Sequence, residues 1–263
     1  MAISLKNGAV FLHIPKTGGN WVTAVLRDLD LVKEEVGHKH ADFEHLFVPC
    51  DRRQNVILKR VARKLLPVPR NKPFMFCFTR NPLSWYESWF KYMSQPRRQW
   101  QNWGDEHDTH DWHPNAVLNG LGSPDFNQFV RNVIQKRPGY VTELYASYVR
   151  PQMDFVGKQE TLVDDFIRVL RVMNLDVDEE FIRNYKRVGV SPDIAKEIIW
   201  EDGLKKSVAL LEYSGLIRYG YSTEIVDECF SPAMRDQGNL RGVSEQTATP
   251  TFDTARGNAR KIA

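Results

Sequence analysis

The residues best suited to anion chemistry are a lysine, a threonine and two glycines near the amino terminus. They lie in the segment HIPKTGGNW (13–21), between a short apolar run at 9–14 and a pattern typical of a helix. A turn between a strand and a helix presents backbone N–H groups and the positive end of the helix dipole, and Lys16 adds a full charge. The segment therefore predicts a phosphate or sulfate site. The segment is not a Walker A loop, which requires its glycines before the lysine. The alternative to an anion site is an ordinary turn with a surface lysine.

A second candidate for anion binding is an arginine followed at helical spacing by a serine. Arg80 comes directly after the apolar run at 74–79, and Ser88 lies eight residues later, which is about two helical turns. The planar guanidinium group can donate two parallel hydrogen bonds to a phosphate. This spacing indicates a second phosphate site, and a structural ion pair is the alternative.

The elements that must position these residues alternate along the chain. Apolar runs at 9–14, 74–79 and 153–156 predict buried strands. Helical patterns follow each run, and Pro82 suits the first turn of one of them. This alternation predicts a single α/β domain with a central parallel sheet flanked by helices. Ligands of such sheets bind beyond the carboxyl ends of the strands, where both candidate segments lie.

Composition narrows the class of protein. A net charge of +3 over 263 residues is too small to favour bulk nucleic-acid binding and fits a local site for a small anion. The three cysteines, Cys50, Cys77 and Cys229, lack paired spacing, which predicts neither a disulfide framework nor a zinc site. No apolar run approaches the roughly 20 residues that span a membrane. We therefore expect a cytoplasmic protein with no membrane span, a domain at 1–230 and a flexible polar tail at 231–263.

The two segments together resemble the donor-binding motifs of PAPS-dependent sulfotransferases, where PAPS is 3′-phosphoadenosine 5′-phosphosulfate. HIPKTGGNW (13–21) resembles the 5′-phosphosulfate loop, and TRNPLSWYESWF (79–90) resembles the 3′-phosphate motif. The residues of these motifs are similar to those of the heparan-type and uronosyl-type carbohydrate branch. Residues 155–166 resemble that branch further downstream. The resemblance covers 9–170 in pieces, with weaker support to about 220. It implies a P-loop-like sulfotransferase fold, PAPS as donor, PAP as product and no required metal.

The resemblance also assigns roles to individual residues. It implies that Lys16 contacts the bridge between sulfate and 5′-phosphate, and that Arg80 and Ser88 hold the 3′-phosphate. Further contacts to the 5′ end of the donor fall on Thr17, Gly18, Gly19 and Asn20, with Trp21 packing near the site. Asn20 departs from the commoner threonine or serine of the family. A late loop that closes over the donor in this family would fall near Lys186 and Arg187.

Sulfuryl transfer requires a base that takes the proton from the acceptor hydroxyl. The pair His38 and His40 resembles the His-x-His segment of uronosyl-type sulfotransferases, which makes His40 the candidate base, with Asp42 or Glu44 to orient it. Other heparan-type members use a glutamate, so Glu34, Glu35 and Glu44 stay as rivals. A polar surface loop with incidental histidines is the remaining alternative.

Residues 95–122 are expected to form a long irregular insertion. Its histidines and acids indicate a solvated acidic loop, with a metal site or an acceptor contact as alternatives: His107, His110 and His113 with Asp105, Asp108 and Asp111. Its tryptophans, Trp100, Trp103 and Trp112, suit stacking on a sugar of the acceptor.

Two other functions share the same pattern. A nucleotide-dependent kinase would use a similar sheet and anion loop but needs Mg²⁺ and carboxylates to position it. A non-catalytic nucleotide-binding protein would keep the donor pocket without the base. The leading interpretation is an O-sulfotransferase that acts on a hydroxyl of a carbohydrate or glycoconjugate by in-line attack.

Overall fold

The fold is organised around a mixed β-sheet. The structure, a computed structural model, describes residues 2–37, 39–43, 72–95, 98, 100, 113–189 and 198–230. Within these residues the sheet has five strands, β1 (Ala2–Leu5), β2 (Val10–Leu12), β3 (Val32–Val36), β4 (Met75–Thr79) and β5 (Phe155–Lys158). Their order is β3-β1-β2-β4-β5. The α/β class is confirmed, with helices flanking the sheet.

The prediction of a parallel sheet was wrong for one half of it. β2, β4 and β5 are parallel, whereas β1 pairs antiparallel with both β2 and β3. β1 and β2 are joined by a tight turn in which Gly8 has a φ of 86°, and so short a connection permits only antiparallel strands. β3 was not predicted, because its sequence VKEEV is polar and exposed at the sheet edge.

The three predicted strands are present with shifted ends. All five residues of β4 are buried, because Met75 and Cys77 pack on one face of the sheet while Phe76 and Phe78 pack on the other. This explains the continuous apolar run. The third strand begins at Phe155 instead of residue 153, since Met153 N–H donates to the Arg150 carbonyl in a turn.

Helices cover both faces of the sheet. Helix α1 (Gly19–Asp28) and a later helix, which we number α5 (Leu162–Val172), pack on the face with Phe76. The opposite face is covered by α2 (Pro82–Met93), α3 (Phe126–Lys136), α4 (Tyr140–Tyr148) and α7 (Asp202–Leu211). Shorter elements are the 3₁₀ helices Pro114–Leu118 and Gln159–Thr161, α6 (Glu179–Arg183), α8 (Tyr213–Arg218) and α9 (Glu224–Phe230).

Local sequence explains where the main helices begin. Pro82 occupies the first turn of α2, as predicted, and the Asn81 side chain caps it by accepting from Leu83 N–H at 2.9 Å. Asp125 caps α3 in the same way by accepting from Gln128 N–H at 2.7 Å. Glu212 ends α7 and precedes α8, while α4 and α9 were not predicted.

Several predicted segments lie wholly or partly outside the described residues. None of the helices in the described ranges has both the length and the apolar character to cross a membrane. The polar tail at 231–263, Cys50 and most of the predicted insertion at 95–122 lie outside the described residues.

Candidate functional site

The two predicted anion-binding segments meet at one edge of the sheet. β2 and β4 are parallel neighbours, with Leu12 opposite Cys77, so the residues that follow these strands emerge side by side. The indole N–H of Trp85 on α2 donates to the Pro15 carbonyl at 2.9 Å. This hydrogen bond joins the turn at 13–18 directly to the helix that follows Arg80.

The turn at 13–18 contains two residues in the left-handed backbone conformation. Lys16 has a φ of 67° and Gly18 a φ of 88°, and non-glycine residues in this left-handed region are uncommon and costly. The hydroxyl of Thr17, which is 1% exposed, donates to the Ile14 carbonyl at 3.0 Å and stabilises the turn. In the first turn of α1, which follows at Gly19, Trp21 N–H donates to the Gly18 carbonyl at 3.0 Å, and the N–H groups of Gly19 and Asn20 have no partner within the helix.

The two glycines are required by packing as well as by the turn. A Cβ atom on Gly19 would lie 2.0 Å from His13 Cδ2, and one on Gly18 would lie 2.6 Å from Leu162 Cδ2. The ring of His13 therefore occupies the space that a side chain at 19 would need. The glycine pair lets the turn pack against His13, a contact that the sequence reasoning did not identify.

Lys16 lies in a concentration of positive charge. Its ammonium group is 4.2 Å from the centre of the Tyr92 ring, and the guanidinium of Arg98 is also 4.2 Å from that centre. Burial, followed by the positive charges of Arg80, Arg98 and Lys39, lowers the pKa of Lys16 from its ordinary 10.5 to about 8. A bound anion would reverse this cost, because it would stabilise the charged form of the lysine.

Arg80 is held by its backbone, and its side chain is incompletely paired. Its N–H lies 3.1 Å from the Tyr145 hydroxyl, which donates to the Arg80 carbonyl at 2.8 Å. Its Nε atom is buried without a hydrogen-bond partner. Arg80 forms no ion pair with the described residues, although Glu160 and Glu87 lie close enough for their charge to act on it. A buried guanidinium N–H without a protein partner is available to a water molecule or a ligand.

Ser88 lies on the same stripe of α2 as Tyr92, one helical turn away. Since the Tyr92 ring contacts Lys16, this stripe faces the turn at 13–18. The Ser88 side chain is half-buried. Arg80 is thus close enough to Lys16 for its charge to act on it, and Ser88 lies on the stripe of α2 that carries Tyr92.

His40, the candidate base, belongs to a cluster of three histidines. Its ring centre is 4.7 Å from that of His13 and 4.7 Å from that of His113. His40 Nδ1 lies 2.9 Å from the His13 carbonyl. A carbonyl only accepts, so Nδ1 carries the proton and Nε2 of the neutral ring has the free lone pair. This is the tautomer that a general base requires.

The environment keeps these histidines neutral. Burial is the main cause that lowers the pKa of His40 well below its ordinary 6.5, and the charges of His13 and His113 add to it. Burial and then the charge of Lys39 lower the pKa of His113 to about 4. Tyr148 fixes the backbone by donating to the His40 carbonyl at 2.5 Å. His113 therefore differs from the solvated loop residue that its sequence context predicted.

The rival bases lie elsewhere in the fold or outside the described residues. Glu34 and Glu35 are exposed on the edge strand β3, where Glu35 pairs with Arg27 and Glu34 with Lys33. His38 and Glu44 lie outside the described residues, while Asp42 is buried. The two described rivals, Glu34 and Glu35, therefore lie apart from the histidine cluster.

Asn20 and Trp21 occupy different environments. Asn20 is exposed at the start of α1, and a Cβ atom on Gly189 would lie 2.9 Å from its Nδ2. The segment with Lys186 and Arg187 therefore leads up to the amino-terminal end of α1. Trp21 is 6% exposed and packs edge-on against Phe166 and Tyr185, so it supports α1 from the core.

Part of the predicted insertion can be placed against the site. Trp100 is half-buried against Phe90 and Phe129. The other tryptophans and histidines of the insertion that the sequence singled out, Trp103, Trp112, His107 and His110, lie outside the described residues. In the part of the chain that the structure describes, no group of three or more histidine, cysteine or acidic residues is arranged to hold a metal ion.

Four residues of the site were missed by sequence reasoning, His13, Lys39, Tyr92 and Arg98, while His113 was considered only as part of the loop at 95–122. His13 begins the first motif and had a visible signal in its position at the strand end. The others become neighbours only through packing across the fold.

Comparisons with protein-family models, with curated proteins and with solved structures found no match for this chain.

Proposed function

We propose that this chain is an O-sulfotransferase that transfers a sulfuryl group from PAPS to a hydroxyl of a carbohydrate or glycoconjugate. One observation carries the proposal. Lys16 and Arg80 follow adjacent parallel strands and are close enough for the charge of Arg80 to lower the pKa of Lys16, while Arg80 Nε is buried without a partner. Such a pair suits a ligand with negative charge at two points, as in PAPS.

The two cations would bind the two anionic ends of the donor. Lys16, the first-turn N–H groups of α1 and Asn20 would hold the 5′-phosphosulfate, because this end of a helix favours anions. Arg80 and Ser88 would hold the 3′-phosphate, which distinguishes PAPS from ordinary nucleotides. Arg98 and Lys39 add charge near Lys16 and would help to bind the transferring sulfuryl group.

The transfer itself needs one proton acceptor and one stabilised leaving group. His40 Nε2 would take the proton as the acceptor oxygen attacks sulfur in line and forms the new O–S bond. The bond between sulfur and the bridging phosphate oxygen breaks, and PAP departs with the negative charge. Lys16 would stabilise that developing charge. His13, through its carbonyl, would hold His40 in the competent tautomer.

The experiment that tests the proposal is calorimetric binding of PAP, ADP and AMP to the full chain without metal. We expect PAP to bind more tightly than either nucleotide, and Arg80→Ala to weaken PAP roughly 10- to 100-fold, the effect of losing a charge-assisted hydrogen bond. Arg131→Ala is the matched control, because this exposed arginine on α3 pairs with Glu201 at the surface.

Three outcomes separate the alternatives. Equal affinity for PAP and ADP would overturn the proposal and favour a nucleotide-dependent kinase, whose activity would be lost in EDTA. PAP binding without turnover on a panel of saccharide acceptors, together with no effect of His40→Gln, would favour a non-catalytic protein. PAP preference with turnover in EDTA would support the sulfotransferase.

A further inference from the structure

We propose that a cavity beside the histidine cluster binds an uncharged sugar ring of the acceptor, adjacent to the ring that is sulfated. This inference rests on the proposed sulfotransferase function, which requires an acceptor. The cavity has a volume of about 230 Å³. It is smaller than the roughly 300–1,000 Å³ pockets that take drug-sized ligands, so it suits one ring of a longer acceptor.

The chemistry of the cavity wall favours a neutral sugar. The wall includes the aromatic rings of Trp89 and Trp100, the side chain of Leu118, and the neutral polar residues Asn115, Asn119 and Ser123. Among the residues that the structure describes, all others that line the cavity are uncharged as well. An aromatic wall packs against the C–H face of a sugar, and a few polar groups orient the ligand. A carboxylated or sulfated ring would lose hydration there without gaining a cation.

Asn115 supplies the polar group that fixes orientation. It is fully buried, and its Oδ1 accepts from the Tyr140 hydroxyl at 2.8 Å. This hydrogen bond fixes the orientation of the amide group and leaves the Nδ2 donor to other partners. Nδ2 has no hydrogen-bond partner among the described residues. A hydroxyl or ring oxygen of a sugar would provide the missing acceptor, and buried donors are rarely left without one.

The cavity is one side chain away from the candidate base. The ring of Trp89, which lines the cavity, lies 6.1 Å from the ring of His113, and His113 lies 4.7 Å from His40. Asn115 N–H donates to His113 Nδ1 at 3.0 Å, which ties the cavity wall to the cluster. An acceptor of linked rings could thus place one ring in the cavity and a hydroxyl of its neighbour at His40. The cations Lys16, Lys39 and Arg98 do not line the cavity.

The test is saturation-transfer NMR on the full chain with lactose, methyl glucuronide and glucose 6-sulfate as probes, alongside calorimetric binding of PAP. We expect saturation of lactose, with Kd roughly tenfold weaker in Asn115→Leu and in Trp100→Leu, as for a lost hydrogen bond or stacking contact. Asn127→Leu is the control, since Asn127 bonds to the Ile199 carbonyl at the surface. PAP affinity should be unchanged in all three variants.

The result that overturns the inference is lactose binding that both cavity variants leave intact, tighter binding of the charged sugars, or no sugar binding at all while PAP binds. Loss of PAP binding with lactose binding intact would instead overturn the proposed function and leave the cavity as a sugar site. If Asn115→Leu fails to fold, Ser123→Trp fills the cavity from its rim and should abolish lactose binding. Tyr140 keeps the Pro114 carbonyl as a partner at 3.1 Å in Asn115→Leu, so folding is expected.

Discussion

Trp85 on α2 and Pro15 in the turn at 13–18 are joined by a hydrogen bond of 2.9 Å from the indole N–H to the carbonyl. Trp85 is fully buried and 70 residues away in sequence. The bond makes the position of the lysine-bearing turn depend on the helix that carries Ser88. The positions of the two halves of the proposed donor site therefore depend on each other.

The first prediction follows from this bond. Trp85→Phe keeps an aromatic ring in the core but leaves the Pro15 carbonyl without its donor, which should cost about 1–3 kcal/mol of unfolding free energy. PAP affinity should also fall, because the turn loses its anchor. Denaturant unfolding and calorimetry measure the two effects.

Tyr86→Phe provides the matched control on the same helix. It removes the buried hydrogen bond from the Tyr86 hydroxyl to Glu212. Glu212 accepts a hydrogen bond from α4, through Val141 N–H, and does not bond to the turn at 13–18. We expect a stability loss of similar size with PAP affinity unchanged. Equal loss of affinity in both variants would mean that general destabilisation explains the first result.

The second prediction concerns the proton linkage of Lys16. Because burial and then Arg80 lower its pKa to about 8, a fraction of the free protein has a neutral lysine at pH 8. Anion binding stabilises the charged form, so PAP binding should take up a proton and PAP affinity should fall as the pH rises above 8. Calorimetry at pH 8 in buffers of different ionisation enthalpy measures this uptake. Lys16→Met should bind PAP weakly and without uptake, and uptake that persists in this variant would disprove the assignment.

The third prediction concerns the protonation state of His40. Burial, His13 and His113 hold its pKa well below 6.5, so it should remain neutral at pH 6.5 with the proton on Nδ1. Long-range ¹H–¹⁵N NMR spectra identify the tautomer, and His40→Gln assigns the signal. His113, whose Nδ1 accepts from Asn115 N–H, should show the opposite tautomer. Titration of His40 at or above pH 6.5 would contradict its role as a neutral base in this environment.

The fourth prediction tests the packing of the glycine pair. Gly19→Ala places a Cβ atom 2.0 Å from His13 Cδ2, which should displace His13 and the His40 that depends on its carbonyl. We expect a loss of about 1–3 kcal/mol in unfolding free energy and loss of PAP binding. Gly203→Ala on α7 meets nothing within 4 Å and should instead stabilise the protein by about 0.5–1 kcal/mol. Thermal unfolding of both variants with and without PAP checks the contrast.

Much of the fold was predictable because its signals are local. The run at 74–79 indicated β4 since both of its faces are buried, and Asn81-Pro82 marked the start of α2 through capping chemistry. The strands β1 and β3 were missed for the converse reason. β1 is only four residues long and β3 is polar, so each becomes a strand through pairing with its neighbour.

The candidate site divides in the same way. The types and spacing of Lys16, Gly18, Gly19, Arg80 and Ser88 are properties of the sequence, and they were sufficient to predict two anion-binding segments at strand ends. His40 was proposed as the base through resemblance, and its packing against His13 and His113 was not predicted.

What the sequence by itself determined is which residues can carry charge, cap a helix or turn the chain, because these depend on residue type and near neighbours. Only the tertiary structure decided that His13 and His113 enclose His40, that Tyr92 lies against both Lys16 and Arg98, and that Arg80 Nε is left without a partner. These relations join residues far apart in sequence. Charge interactions and pKa values depend on distance and burial in space, which a linear pattern of residues does not contain.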